Sequence, residues 1–331
     1  MEYTDSNQIV ADLIGYKVVE LLKSANNALK SHSIFEHAVY MQNGEDSLIK
    51  IIKDKDFISP TSIVIRGMDN VSFKSLDMKE GTQFESLEEK LSSIDTGFSL
   101  HFGNASTWQQ PPLPKETEII SVEEINLNLR ILKDIIYTSP SREGLVPLLE
   151  KVEKLGPLEV YVKDQKQIMS EKARPYIDAL MWGIFSGDVE TIKGSVEPIL
   201  GLGPGLTPSC DDFLAGLLLS LNTAGASLFK NEPETVQFFG RISEEISNLA
   251  KKKTIIYSSN FINESALGEG PKAALDLIFS IITKSPDRVA ELSKRLISVG
   301  ATSGADIAIG IYYGIRFLTS RIELRDLNEF E

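Results

Sequence analysis

The segment Trp108-Gln-Gln-Pro-Pro-Leu-Pro114 divides the 331-residue sequence into two parts with different hydrophobic patterns. Its three prolines have no N–H donors, so the segment can continue neither a helix nor a central strand. The length of the chain also favours two domains, at about 100–200 residues each. We therefore predict one domain over residues 1–115 and a second over residues 116–331.

Short runs rich in apolar and β-branched residues precede the prolines. Ile34–Met41 and Leu48–Ile52 flank Asn43-Gly44, a dipeptide that is typical of a hairpin turn. Thr61–Arg66 and Thr96–Phe102 are further candidate strands. The first domain is therefore predicted to be mainly β.

After Pro114 the apolar residues recur at helical spacing. Ser121-Val-Glu-Glu124 is a capping-box sequence, and Ser285-Pro286-Asp287 predicts the start of a helix that runs to about Val299. The two clearest apolar stripes are Ile125, Leu129, Leu132 and Ile136, and Ala173, Ile177, Leu180 and Ile184. Strands first and helices later predict an α+β fold, a mainly β N-terminal domain followed by a mainly α-helical C-terminal domain.

Composition excludes several classes of protein. The net charge of −13 argues against general nucleic-acid binding, which requires cations to displace phosphate counterions. The three histidines and the single cysteine are too scattered for a structural zinc site, and we predict no metal centre. The N-terminus lacks the features of a signal peptide, and the longest apolar stretch, Phe213–Leu221, is about half of a membrane span. We expect a cytoplasmic protein that binds neither nucleic acid nor membrane.

The most informative motif is Gly201-Leu-Gly-Pro-Gly-Leu-Thr-Pro-Ser-Cys-Asp-Asp-Phe-Leu-Ala-Gly216. A glycine-rich loop that leads into a helix presents free N–H groups and the positive end of the helix dipole, which suits an anion. Ser209 and Asp212 are spaced as a capping box, so the helix is predicted to begin near Cys210. The motif matches neither a P-loop nor the dinucleotide fingerprint.

The same design recurs 94 residues later. Ser303–Gly310 aligns without gaps to Ser209–Gly216, each copy reads Ser-x-x-Asp-x-x-x-Gly, and a threonine, Thr302 or Thr207, lies just upstream. Small residues continue both patterns at intervals of four, at Gly216, Ser220 and Ala224 and at Gly310 and Gly314. We predict that the two helices pack across these small faces and bring both N-termini to one cleft. The alternative is two capped, well-packed helices without a ligand.

Asp211 is the acidic residue of the motif that has no predicted role in helix capping. If Asp212 and Asp306 cap their helices, Asp211 stays free to accept a substrate N–H, to bind a Mg²⁺ ion, or to do neither. A Cys–His nucleophile at Cys210 is disfavoured, because no histidine lies nearby in the sequence.

The two motifs together resemble a bacterial family that includes the AllH-type subunit of oxamate carbamoyltransferase. Most members of this family are uncharacterised, and some have been labelled carboxylases. The Thr254–Ser258 segment with Gly268, and Trp108 with its prolines, resemble weaker blocks of the same family. One position departs from the family pattern, since Cys210 stands where glycine is usual.

The resemblance implies a subunit that acts with partner proteins in a hetero-oligomer. The reaction would be carbamoyl transfer between carbamoyl phosphate and a small amide or ureido acid such as oxamate, in purine and allantoin nitrogen catabolism. No cofactor is implied, although the scheme leaves room for Mg²⁺. The candidate residues for binding the anionic substrate are Gly203, Gly205, Thr207, Ser209, Cys210, Thr302, Ser303 and Gly304, and the candidate catalytic residues are Asp211, Asp212 and Asp306.

Two other functions stay open at this stage. The first is a non-catalytic ligand-binding or scaffolding subunit whose partners carry the chemistry. The second is a stand-alone carboxylase or amidohydrolase, which the absence of a recognisable nucleophile–base pair disfavours.

Overall fold

The chain forms two compact units that meet between Pro111 and Pro112. The computed structural model describes residues 8–24, 29–44, 47–67, 72–87, 89–93, 95–139, 143–150 and 168–328. The first unit is built mainly from strands and the second from helices. This arrangement confirms the predicted α+β fold class.

The first unit is a closed sheet in the part of the chain that the structure describes. Its strands are β1 (Gln8–Gly15), β2 (Leu29–Ile34), β3 (Ala38–Gln42), β4 (Leu48–Ile52), β5 (Ser62–Ile65), β6 (Gln83–Leu87), β7 (Lys90–Ser92), β8 (Ser99–His101) and β9 (Ser106–Trp108), with α1 (Val18–Ser24) after β1. The strands follow the order β5-β4-β3-β2-β6-β7-β8-β1-β9, and an antiparallel pairing of β1 with β5 closes the sheet. Alternate side chains such as Val39, Met41 and Leu100 fill its interior.

The predicted strands agree with the sheet except at one position. Leu48–Ile52 is β4, and the segments Thr61–Arg66 and Thr96–Phe102 contain β5 and β8. The prediction of a single strand over Ile34–Met41 is wrong. There the chain turns back on itself, and the N–H of Phe35 donates to the carbonyl of Ala38 at 2.8 Å, so the segment contributes to both β2 and β3.

The second unit is helical over its described residues. Its helices are α2 (Val122–Tyr137), α3 (Pro147–Glu150), α4 (Ile168–Ser186), α5 (Val189–Val196), α6 (Ser209–Leu228), α7 (Pro233–Lys253), α8 (Ile256–Ala266), α9 (Lys272–Thr283), α10 (Pro286–Ile297) and α11 (Ser303–Asn328). The capping box at Ser121 and Glu124 is present, and both predicted apolar stripes are buried. Ser285 precedes Pro286 at the start of α10, as predicted.

The helices α6 and α11 form the centre of the second unit and touch backbone to backbone. A Cβ atom on Gly216 would lie 2.2 Å from the carbonyl oxygen of Ile307, and one on Gly310 would lie 2.1 Å from that of Phe213. Glycine is therefore required at both positions, because any side chain would push the helices apart. The predicted packing across the small faces is confirmed.

Candidate functional site

The first turn of α6 is not capped in the predicted way. The helix begins at Ser209, its N-cap is Pro208, and no side chain caps it. The Asp212 carboxylate instead accepts a hydrogen bond from Thr207 Oγ1 at 2.9 Å. The predicted capping box of Ser209 and Asp212 is therefore wrong, since Asp212 is engaged by the preceding loop.

The glycine-rich loop of residues 201–208 folds back on the start of α6. Gly203 and Gly205 have φ values of 131° and 100°, which L side chains rarely adopt. A Cβ atom on Gly203 would lie 2.4 Å from the backbone nitrogen of Ser209, so the loop lies directly against the helix. The N–H of Cys210 donates to the carbonyl of Leu202 at 3.0 Å.

Unused donors lie on the loop as well as at the first residue of each helix, Ser209 and Ser303. The N–H groups of Gly205, Leu206 and Thr207 make no hydrogen bond to any residue that the structure describes. Gly205 and Leu206 are exposed, and Thr207 is half-buried. N–H donors of the predicted kind are thus present at residues 205–207, just before α6 begins, and at Ser209.

The two motifs meet at their hydroxyl groups. Thr207 Oγ1 lies 3.4 Å from Ser303 Oγ, and the Ser303 hydroxyl is close enough to Asp212 to lower the pKa of its carboxyl group. Ser303 is half-buried at the first residue of α11, whereas Thr302 is buried and is close enough to Asp306 to lower the pKa of its carboxyl group. The predicted meeting of the two helix N-termini is confirmed.

Asp306 occupies the equivalent position on α11, where a loop that the sequence did not indicate covers it. Its Oδ1 accepts the N–H of Leu145 at 2.7 Å, and Gly144 has a φ of 67° and packs against the carboxylate. Asp306 Oδ2 and the nearby Ser209 Oγ are buried, and neither makes a hydrogen bond of normal geometry to a described residue. The local signal at Gly144, a glycine before an apolar run, is common in turns and does not point to Asp306.

Asp211 is not free, so that expectation is wrong. Its Oδ1 accepts the N–H of Gly201 at 2.8 Å, and its Oδ2 accepts the hydroxyl of Thr254. Ser258 of α8 also lies close enough to lower the pKa of Asp211. Asp211 therefore fastens the start of the glycine-rich loop to the junction of α7 and α8, a contact that the Thr254–Ser258 block did not reveal by itself.

The three carboxyl groups are almost completely buried, each at most 1% exposed. Burial raises the pKa of Asp211, raises that of Asp306 to about 7, and raises that of Asp212 well above its ordinary value. The neighbouring carboxylates Asp306 and Asp211 raise the pKa of Asp212 further. At least part of this cluster is therefore protonated near neutral pH.

Cys210 and Gly304 are buried, and their N–H groups are hydrogen-bonded within the protein. Burial, together with Asp306 and Asp211, raises the pKa of the Cys210 thiol, which keeps it neutral and unreactive. The N–H of Gly304 donates to the carbonyl of Val299 at 3.1 Å, and the missing Gly304 side chain lets α11 contact Leu296. Neither residue can touch a ligand in this arrangement.

Two further features of the described residues bear on function. They contain no group of three or more His, Cys, Asp or Glu side chains placed to hold a metal ion. Among the described helices, none has both the length and the apolar character needed to cross a membrane.

Comparison with known proteins assigns both units to one family. The family model described as oxamate carbamoyltransferase subunit AllH matches residues 199–315, which include both halves of the Thr207–Ser303 junction. The model of the AllH family N-terminal domain matches residues 9–107, the strands of the first unit. No solved structure matches the chain. The chain therefore belongs to the AllH family.

Proposed function

We propose that the chain is a subunit of a carbamoyltransferase complex that moves a carbamoyl group between carbamoyl phosphate and a small amide or ureido acid such as oxamate. The proposal rests on the family match together with one structural observation. This observation is the junction of Thr207 and Ser303 beside the free N–H groups of residues 205–207. A junction of hydroxyls and backbone donors suits the oxygens of a carboxylate or phosphate.

The transfer needs donors that face developing negative charge. The acceptor nitrogen attacks the carbonyl carbon of carbamoyl phosphate, the C–O bond to phosphate breaks, and the nitrogen gives up a proton. The backbone N–H groups of Gly205, Leu206 and Thr207 are fixed by the loop and would stabilise the oxyanion that forms. The reaction involves no change of oxidation state, so the proposal includes no redox cofactor.

The acidic residues take different roles from those that the motif suggested. Both carboxylate oxygens of Asp211 are occupied by Gly201 and Thr254, so Asp211 positions the loop and does not orient the acceptor nitrogen. Asp212 and Asp306 are buried behind the hydroxyl groups. Asp212 acts on the substrate through Thr207, which lies beside Ser303.

The second candidate function is a ligand-binding or scaffolding subunit that carries no chemistry. The observation that favours it is the burial of Cys210 and all three aspartates, which leaves no activated nucleophile at the junction. The same observation weakens the third candidate, a stand-alone carboxylase or amidohydrolase.

The experiment compares the isolated chain with the chain assembled with its partner subunits. Calorimetry with carbamoyl phosphate, oxamate and oxalurate measures binding, and release of phosphate measures turnover, each with and without EDTA. We expect the isolated chain to bind an anion without turnover and the complex to transfer the carbamoyl group. Turnover by the isolated chain would favour the third candidate, and a complex whose turnover survives Ser303→Ala and Thr207→Val unchanged would favour the second.

A further inference from the structure

Helix α4 exposes aromatic side chains on the side opposite its buried apolar stripe. Trp182 is 65% exposed and Phe185 is 43% exposed, and their rings stack with centroids 5.8 Å apart. Tyr176 of the same helix is also exposed, so α4 carries three of the four exposed aromatic side chains among the residues that the structure describes. Aromatic side chains are enriched at the centres of protein interfaces, where Trp and Tyr contribute much of the affinity.

The exposed aromatic pair is not needed to hold α4 in the fold. The helix is fixed from its other side, where Ile177 and Leu180 are buried and Gly183 packs on Ile192 of α5. The pair leaves roughly 250 Å² of aromatic surface in water. A stable interface covers about 800 Å² on each partner, so the pair is large enough to form the centre of an interface, with the residues around it as the rim.

Acidic residues lie on the same side of α4 as the aromatic pair. Glu171 and Asp178 fall within about 40° of Trp182 around the helix axis, and both are exposed. Neither carboxylate forms an ion pair with a described residue, and Lys172 lies about 80° away, at the edge of this side. A second copy of the chain, with its net charge of −13, would bring acidic groups against acidic groups. The complementary partner therefore presents an apolar groove with Lys or Arg at its edge.

Helix α4 also holds the segment that covers Asp306. The Arg174 guanidinium donates to the carbonyls of Pro147 at 3.5 Å and Leu148 at 3.1 Å. The same segment contains Leu145, whose N–H donates to Asp306. Trp182 is eight residues, or about 12 Å, further along the helix than Arg174. A protein that docks on α4 is therefore held near the segment over Asp306.

We propose that the exposed side of α4, centred on Trp182 and Phe185, is the docking surface for a different subunit of the carbamoyltransferase complex. The aromatic pair enters an apolar groove of that subunit, and Glu171 and Asp178 pair with basic residues at the edge of the groove. The inference rests on the proposed function, because the complex supplies the partner, and it adds the surface by which the partner is bound.

The partner is defined by activity. The full chain is purified through an affinity tag, and the subunits that come with it are kept if the preparation transfers a carbamoyl group from carbamoyl phosphate to oxamate. Calorimetry then measures the Kd between the chain and the separated subunits. Trp182→Ala should raise this Kd at least about 30-fold, the effect of a residue at the centre of an interface. Leu324→Ala is the matched control, since this exposed apolar side chain lies near the end of α11, and it should leave the Kd unchanged.

Charge reversal tests the acidic edge separately. Asp178→Lys should raise the Kd about tenfold at low salt, and the difference from the wild type should shrink as the salt concentration rises. Glu244→Lys, at an exposed acidic residue of α7, is the control and should have no effect. All of these side chains are exposed, so urea denaturation should show that each variant is about as stable as the wild type.

Tryptophan fluorescence shows what covers the surface. In a Trp108→Phe chain the signal comes from Trp182 alone, because the sequence has two tryptophans. Acrylamide should quench this fluorescence in the isolated chain, and the bound partner should protect it. If acrylamide does not reach Trp182 in the isolated monomer, the chain covers its own surface and the inference is overturned. A dimer of the isolated chain that Trp182→Ala dissociates would also overturn it, since a second copy would then be the occupant.

The outcomes separate this inference from the proposed function. An active complex whose Kd is unchanged by Trp182→Ala would overturn the inference and leave the carbamoyltransferase assignment standing. If no preparation of the wild-type chain retains a partner or transfers a carbamoyl group, the proposed function fails and the inference fails with it.

Discussion

Thr207 Oγ1 lies 3.4 Å from Ser303 Oγ, although 96 positions of sequence separate the two residues. The contact exists because Gly216 and Gly310 let α6 and α11 touch backbone to backbone one turn beyond the acidic residues. The two Ser-x-x-Asp motifs therefore lie side by side, and Thr207, just before the first motif, donates a hydrogen bond to Asp212.

The contact between α6 and α11 predicts that even a methyl side chain at Gly310 strongly lowers the free energy of unfolding. Gly310→Ala places a methyl group 2.1 Å from the carbonyl oxygen of Phe213 and should lower the free energy of unfolding by about 3 kcal/mol. Urea denaturation measures this change. Gly240→Ala is the control, because α7 leaves open space there, and it should stabilise the protein by about 0.5–1 kcal/mol. Equal effects of the two substitutions would contradict the contact.

The loop geometry predicts that Gly203→Ala weakens anion binding as well as stability. The methyl group would lie 2.4 Å from the nitrogen of Ser209 at a φ of 131°, so the loop must move away from α6. We expect the Kd for oxamate to rise at least about tenfold, equal to about 1.4 kcal/mol. Gly187→Ala, which also has a positive φ but open space, should cost stability and leave oxamate binding unchanged. Unaltered binding by Gly203→Ala would remove the loop from the site.

The role of Asp211 is tested through its partner. Thr254→Val removes the hydroxyl that donates to Asp211 Oδ2 and should lower the free energy of unfolding by about 1.5–3 kcal/mol, the range for a hydrogen bond to a charged group. Oxamate affinity should fall at the same time, because the loop loses an anchor. Thr254→Ser keeps the hydroxyl and should behave like the wild type. If both variants are as stable as the wild type, Asp211 does not anchor the loop.

The raised pKa of Asp306 predicts how stability depends on pH. The folded state holds this proton up to about pH 7, whereas an unfolded Asp loses it near its ordinary pKa of about 4. The stabilisation is therefore complete below about pH 4 and is lost as the pH rises to about 7, a change of about 4 kcal/mol.

Asp306→Asn tests this dependence, because the amide oxygen can still accept the N–H of Leu145. The variant should lose the share of this fall that Asp306 contributes between about pH 4 and about pH 7, and keep the shares of Asp211 and Asp212, whose pKa values are also raised. Asp188→Asn is the control of opposite sign, since hydrogen bonds with Thr191 lower the pKa of Asp188. Urea denaturation at a series of pH values makes the measurement, and an unchanged pH profile for Asp306→Asn would contradict the prediction.

Local patterns predicted the parts of the fold that local physics determines. The helix that begins after Ser121 follows its capping box, and β4 follows its run of apolar residues. The prediction of one strand over Ile34–Met41 was wrong because apolar residues continue on both sides of a chain reversal. Only the turn from Phe35 to Ala38 separates the two strands.

The site was predictable in outline but not in its connections. The repeated motif and its small residues were enough to predict that the two helix N-termini meet, which places Thr207 beside Ser303. Asp212 has the spacing of a cap, but its carboxylate accepts the hydroxyl of Thr207 in the preceding loop. The coverage of Asp306 by Leu145 depends on residues 161 positions apart, for which the sequence carries no local signal.

The most direct test of the proposed function is carbamoyl transfer from carbamoyl phosphate to oxamate by the assembled complex that carries Thr207→Val together with Ser303→Ala. These substitutions remove both hydroxyls of the junction and leave the packing of α6 on α11 in place. The account predicts a loss of about 10- to 100-fold in kcat/KM from the missing hydrogen bonds, in a complex that still assembles. Wild-type transfer rates in that complex would contradict it.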